Sequence, residues 1–208
     1  SLNLNYKTKK LTLHLIQTIT ASKRLLADDS TVAVSKNWSR GTYKGQTNVT
    51  DLYGNFKLSN LFSLVSGVQY INQNTDQSYK SISAFGPYDA VPIGSDSAKA
   101  NNFSLYSSLL LIDAKGFNAE LGFRYNKHSI YGSNTTYSFN PSYNIDENTR
   151  VFVNISSAYK VPSLYQLYSE YGNKNLKPEE SNNYEIGVQS LTNNKRYSFR
   201  MVAFKRDI

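Results

Sequence analysis

The chain has 208 residues, with 23 Lys and Arg against 15 Asp and Glu, and no cysteine. Without a thiol there is no disulfide framework, no cysteine-ligated metal and no cysteine nucleophile. No apolar run reaches the roughly 18–20 residues of a membrane-crossing helix; this excludes a helical membrane protein but not a barrel, whose strands alternate. Tyrosine (17) and phenylalanine (10) far outnumber the single tryptophan, and a ring with a wet hydroxyl suits interfaces and binding loops alike. The net charge of +8 raises nucleic acid as a partner. The basic residues are scattered, however: Lys7, Lys9 and Lys10 sit at one turn, Lys195 and Arg196 at another. No basic helix, zinc finger or RNA-binding aromatic motif is present, so no nucleic-acid partner is expected. The charge fits loop surfaces and a polar interior that favour anionic groups, including lipid phosphates.

Read in chain order, period-two alternation predicts ten strands, at 2–6, 11–20, 46–58, 61–73, 101–112, 117–128, 136–145, 150–156, 183–191 and 197–206. The clearest sets Phe117, Ala119, Leu121, Phe123 and Tyr125 against Asn118, Glu120, Gly122, Arg124 and Asn126. Several reach the roughly 9–11 residues that a tilted membrane strand needs. Tight turns at 8–10, 59–60, 113–116, 146–148 and 192–195 alternate with long loops at 21–45, 74–100 and 160–182, with one short exception at 129–134. A soluble sandwich has no reason to put its long loops on one side, whereas a membrane barrel does. The fold class expected is therefore all-β, an antiparallel up-and-down transmembrane β-barrel segment of about ten strands. Pro141 falls inside a strand, where it removes a ladder donor, and a bulge is expected there.

Residues 160–190 carry the most specific signal. Tyr159-Lys160-Val161-Pro162-Ser163-Leu164 is followed by Gly172 and Asn173, then by Leu176, Pro178, Glu179 and Ser181. A strand then opens on Tyr184, Glu185 and Gly187. In this order and spacing the segment resembles the barrel signature of the TonB-dependent outer-membrane receptors, and its 165–172 stretch is most similar to the cobalamin-receptor branch. The resemblance implies a receptor in the outer membrane of a Gram-negative bacterium. Such a receptor binds a scarce, bulky small-molecule nutrient, here cobalamin, and imports it through a plug pulled by the TonB energy-transducing complex. A ferric siderophore or haem is the alternative ligand. A passive porin, which lacks this signature, and a soluble carbohydrate-binding β-domain are the further rivals. Barrels of this kind have about 22 strands around a plugged lumen, so residues 1–208 are expected to form a partial barrel domain without the plug. Both ends of the chain fall on the long-loop side, and Arg206-Asp207-Ile208 lacks a terminal aromatic.

No enzymatic constellation is present. His14 and His128 have no metal-ligand spacing, Ser163 has no glycine elbow, and Glu179-Glu180 are loop neighbours rather than a hydrolase pair. No cofactor is expected. Calcium is a weaker possibility, since Asp28, Asp29, Asp76, Asp89 and Asp96 collect in long loops. Ligand contact is assigned to the loop aromatics Tyr79, Phe85, Tyr88, Tyr165, Tyr168 and Tyr171, because rigid amphipathic rings give contact area at low entropic cost. Glu120, Arg124, Arg150, Glu185 and Arg200 are expected on the lumen wall.

Overall fold

The computed structural model describes residues 1–29, 37–169, 171–192 and 194–208. Its strands are β1 (Leu2–Lys7), β2 (Leu11–Asp29), β3 (Trp38–Lys57), β4 (Phe62–Ser83), β5 (Gly86–Asp89) and β6 (Lys99–Ala114). They continue with β7 (Phe117–His128), β8 (Gly132–Phe139), β9 (Ser142–Asn144), β10 (Thr149–Lys160), β11 (Glu179–Leu191) and β12 (Ser198–Asp207). A short helix, α1 (Leu164–Tyr168), lies between β10 and β11. Ten strands form one antiparallel meander in chain order, with β5 added to β4, and β9 bridging β7 and β10.

The short turns form where Thr, Ser and Asp side chains can replace backbone acceptors. The Thr8 hydroxyl accepts from Leu11 N (3.0 Å), the Ser59 hydroxyl from Phe62 N (3.0 Å), and Asp146 Oδ1 from Thr149 N (2.8 Å). In the 113–116 turn, Asp113 and Lys115 take φ of 53° and 54° and Gly116 takes 84°. The sheet's register shift also falls here, between Leu111 and Ala114.

Three expectations are corrected. Pro141 makes no bulge: Phe139 faces Ile155 and Ser142 faces Phe152, so the register runs straight through. Pro141 still accepts from Val153 N (3.0 Å), while Asn140 exchanges both backbone bonds with Glu120, so the proline costs only one donor. The expected loop 21–45 is a hairpin over its described residues, with Ala21 opposite Gln46 and Asp29 opposite Trp38; positions 30–36 lie outside the described residues. Strand β4 likewise runs to Ser83 and pairs with β5 inside the expected loop 74–100. These extensions scatter a few apolar residues among polar ones on both faces, so apolar alternation cannot reveal them, while the cross-strand ladder satisfies their backbone regardless.

Because side chains alternate, register divides the sheet into two faces. One bears an apolar band with an aromatic row at each edge. Tyr70, Phe103, Tyr125, Tyr137 and Tyr184 mark the edge toward the long connections; Tyr6, Phe56, Phe62, Phe117, Tyr143 and Phe199 mark the other. Between the rows on β7, about eight residues span roughly 27 Å of strand, or about 20 Å of height at barrel tilts, close to the apolar band of outer-membrane barrels. Beyond the first row this face turns polar at once. Gln17 Nε2 donates to Asn48 Oδ1 (3.2 Å), Thr50 to Gln17 Oε1, and Asn72 Nδ2 to Asn101 Oδ1 (2.5 Å).

The opposite face is a wall of paired polar groups. Tyr106 Oη donates to Asp51 Oδ1 (2.7 Å) and Gln69 Nε2 to Asp51 Oδ2 (3.0 Å). Arg124 Nη2 reaches Gln69 Oε1 (2.7 Å) and Ser104 Oγ (2.8 Å), and its Nε reaches Asn126 Oδ1 (2.9 Å). Glu120 Oε1 accepts from Ser108 (2.8 Å), and Glu185 accepts from Asn154 (3.0 Å) and Asn183 (2.8 Å). The Phe152 ring lies over Gly187 between the guanidinium groups of Arg150 and Arg200. Glu120, Arg124, Arg150, Glu185 and Arg200 thus all share this polar face.

Candidate ligand-binding site

The segment joining β10 to β11 is held open as a shaped loop. Pro162 follows β10 and Pro178 precedes β11, and each fixes φ and withholds a donor where the ladder stops. The last rung pairs Lys160 with Glu179, whose side chains meet at 3.3 Å. Ser163 then caps α1 in a capping box: its hydroxyl accepts from Gln166 N (3.2 Å), and Gln166 Oε1 accepts from Ser163 N (2.9 Å). Leu167 is the helix residue that buries (4% exposed), with Leu164 half-buried beside it. The chain doubles back with Gly172 N donating to Ser169 O (2.8 Å) and Asn173 N to Gln166 O (2.8 Å). A Cβ on Gly172 would stand 2.8 Å from both Leu167 C and Ser169 O, so only glycine fits.

Tyr131, in the turn between β7 and β8, donates its hydroxyl to Leu176 O (3.1 Å). Burial pushes the Tyr131 phenol above its ordinary range, so the donor keeps its proton at physiological pH. The His128 ring stacks on Tyr131 (5.4 Å), and its Nδ1 accepts from Ile130 N (3.2 Å). His14 is likewise engaged, with Asn5 at 2.6 Å, Asn55 at 3.2 Å and the Tyr53 ring at 4.6 Å. Both histidines are parts of the wall and its turns.

Facing this loop is the far end of β4. There Ala90 N donates to Tyr79 O (2.9 Å), and Gln77 and Ile93 exchange backbone bonds (2.8 and 2.9 Å). Between the two elements lies a cavity of about 340 Å³ lined by Tyr43, Tyr79, Tyr88, Tyr165, Tyr168 and Tyr171 over a floor that includes Val91 and Ile93. Tyr79 and Tyr88 tilt toward each other (6.5 Å), and the Lys174 ammonium lies 5.2 Å from the Tyr168 ring. Among the described residues no charged side chain lines the cavity. It offers ring faces and hydroxyls, which suit a ligand with planar and hydrogen-bonding groups.

Five of the six aromatics assigned from sequence meet here, drawn from two loops about 80 residues apart in the chain. Phe85 does not: it is fully exposed (101%) at the β4–β5 turn, with its N–H donating to Ser83 Oγ. Tyr43 falls within the expected loop 21–45, where nothing local marks it. It faces Gln77 across the β3–β4 ladder, and that pairing places it. The signature residues do not line the cavity. Pro162, Ser163, Gly172, Asn173 and Pro178 shape its loop, Leu176 anchors that loop to Tyr131, and Ser181, Glu185 and Gly187 belong to β11 opposite Ala158, Asn154 and Phe152. Of the loop acids, Asp29 pairs with Arg40 (2.9 Å) and Asp89 with Lys80 (2.7 Å). Among the described residues no three acidic or imidazole side chains gather.

Residues 1–208 match the family described as TonB dependent receptor-like, beta-barrel. The chain belongs to that family. The fold comparison agrees: a mutant of the ferric enterobactin receptor of Pseudomonas aeruginosa superposes with a TM-score of 0.69 at 20% identity, over 99% of this chain and 33% of that one. The ferric yersiniabactin uptake receptor of Yersinia pestis gives 0.69 at 16% identity (97% and 34%). The copper transporter OprC gives 0.68 at 12% (88% and 33%). The chain spans about a third of the length of these proteins. Their names refer to ferric chelates and copper, so the similarity of 165–172 to the cobalamin branch has no counterpart among them. As a TonB-dependent receptor barrel segment, the chain resides in the Gram-negative outer membrane. In outer-membrane barrels an apolar band of this kind meets lipid, a polar wall faces the lumen, and long connections stand on the extracellular side.

Proposed function

We propose that this barrel segment belongs to a receptor that captures a bulky metal chelate of the ferric-siderophore class at the extracellular mouth and imports it with energy supplied through TonB. The tyrosine cavity between the β4–β5 extension and the α1 loop carries this reading. Aryl and hydroxyl-rich chelates present flat faces and acceptors to such a surface, and an excess of basic residues favours anionic complexes. The relatives that bind ferric chelates support the same class. The lumen wall, with Arg124, Arg150 and Arg200 set among fixed acceptors, is suited to hold a plug domain. Catalysis by bond-making has no part in this work; it consists of binding and a driven release.

A cobalamin ligand is the second reading, favoured by the similarity of 165–172 to cobalamin receptors. The deciding experiment uses cells expressing the gene that encodes this chain, supplied with ferric siderophores or cobalamin, with TonB present or absent. Siderophore accumulation that requires TonB and falls at least tenfold in Tyr79→Ala/Tyr168→Ala supports the proposal. TonB-dependent cobalamin uptake would replace the ligand class, and uptake indifferent to TonB would overturn the receptor reading.

A further inference from the structure

We propose that His128 and Tyr131 form a latch that holds the α1 loop in its cavity-forming shape and releases it when the His128 ring is protonated. His128 closes β7 three residues beyond Tyr125, outside the apolar band, and is 8% exposed. Its Nδ1 accepts from the main-chain N–H of both Ile130 (3.2 Å) and Tyr131 (3.4 Å). Two donors aimed at one ring nitrogen fix the neutral tautomer, with its proton on Nε2. The ring also stacks on Tyr131 (5.4 Å), whose hydroxyl donates to Leu176 O (3.1 Å). That bond joins positions 45 residues apart and fastens the loop that brings Tyr165, Tyr168 and Tyr171 to the cavity. The turn set by His128 is thus what aims Tyr131 at the loop.

A protonated imidazole is a donor at both nitrogens, so Nδ1 would then face two N–H groups with nothing left to accept them. The surroundings offer the added charge no counterion. On β7 itself the nearest charged group of this face is the Arg124 cation, and Lys127 points to the other face. Strand β4 brings Gln73, β6 brings Ala100 and Asn102, and β8 brings Asn134, all without charge; β10 brings the Tyr159 phenol. Among the described residues no carboxylate borders this pocket. Burial accordingly holds the His128 ring below the ordinary histidine range. The latched state therefore binds fewer protons than the released one. The latch is at full strength above about pH 6.5 and weakens as the pH falls below it. Burial pushes the phenols of Tyr131 and Tyr159 up, so both keep their protons throughout and His128 is the titrating member. As a regulation of ligand capture, the latch rests on the tyrosine cavity being the ligand site, as proposed above.

The test needs no ligand, so the latch and the ligand class can fail separately. The whole protein encoded by the gene is reconstituted in neutral-lipid vesicles with a nitroxide label on N175C, an exposed loop position. The mobile fraction of the label is read between about pH 7.5 and about pH 5, on either side of the ordinary histidine value. In the parent this fraction is expected to rise at least about threefold on acidification. H128N keeps an acceptor for the two N–H groups but cannot titrate, so its label should stay immobile throughout. Y131F, without the hydroxyl that reaches Leu176, should be mobile at both ends. H14N, remote from the loop, should follow the parent. Heat-modifiable migration confirms that each variant is folded. A parent label indifferent to pH, a pH response that survives in H128N, or a Y131F label immobile at neutral pH would each overturn the proposal.

Discussion

At Gly172 the backbone turns so closely on itself that a methyl group has nowhere to go, since its neighbours are main-chain atoms of Leu167 and Ser169. Gly172→Ala is expected to cost about 1–3 kcal/mol of loop structure. Ligand binding by cells should drop at least tenfold while the barrel still shows heat-modifiable migration; unchanged binding would mean the loop fold does not shape the cavity. Asp51 is the second residue on which much depends, because it accepts from both Tyr106 and Gln69, and Gln69 in turn receives Arg124. Removing it strands two donors at once. Asp51→Ala should lower the urea midpoint of the reconstituted protein by the equivalent of about 2–4 kcal/mol, whereas Asp51→Asn, which still accepts, should lose less than half of that.

Among the elements, α1 depends on its cap. A five-residue helix cannot stand on propensity, and Ser163→Ala removes a bond worth about 1 kcal/mol. Limited proteolysis should then nick 160–179 several times faster, with β10 and β11 intact; an unchanged rate would show that the prolines alone hold the loop. Pro141 makes the opposite case. Since the ladder keeps its register there, Pro141→Val restores one donor facing β10 and should be neutral or stabilising by about 1 kcal/mol, read as a raised urea midpoint. The strands that alternate Phe, Leu and Tyr with polar residues were legible because lipid demands that alternation, and the turns were legible because Thr8, Ser59 and Asp146 do their capping locally. The outer halves of β2, β3 and β4 were not, because water on both sides imposes no pattern. Tyr43 was lost with them: its place in the cavity depends on its partner Gln77, a relation between strands that no local window contains.

For the whole molecule, exposure has two meanings. Leu121 and Leu25 are nearly equal by area, at 58% and 62%, yet one lies midway between the aromatic rows and the other well beyond them. Leu121→Arg should destabilise by about 2–4 kcal/mol, the midplane cost for a barrel wall. Leu25→Arg should change the unfolding midpoint by less than about 0.5 kcal/mol. Equal effects would displace the membrane boundary assigned from the Tyr70–Tyr184 row.

The β2–β3 hairpin continues as paired ladder for about twelve residues past Gln17. At about 3.3 Å per residue and a tilt near 40°, it gains about 30 Å of height. It is in effect a mast that raises Trp38 and Arg40 well above the Tyr70–Tyr184 row. Macromolecules too big to reach the tyrosine cavity would meet the cell first at this height, so an antibody against the hairpin should label intact cells that one against the β6–β7 turn leaves dark.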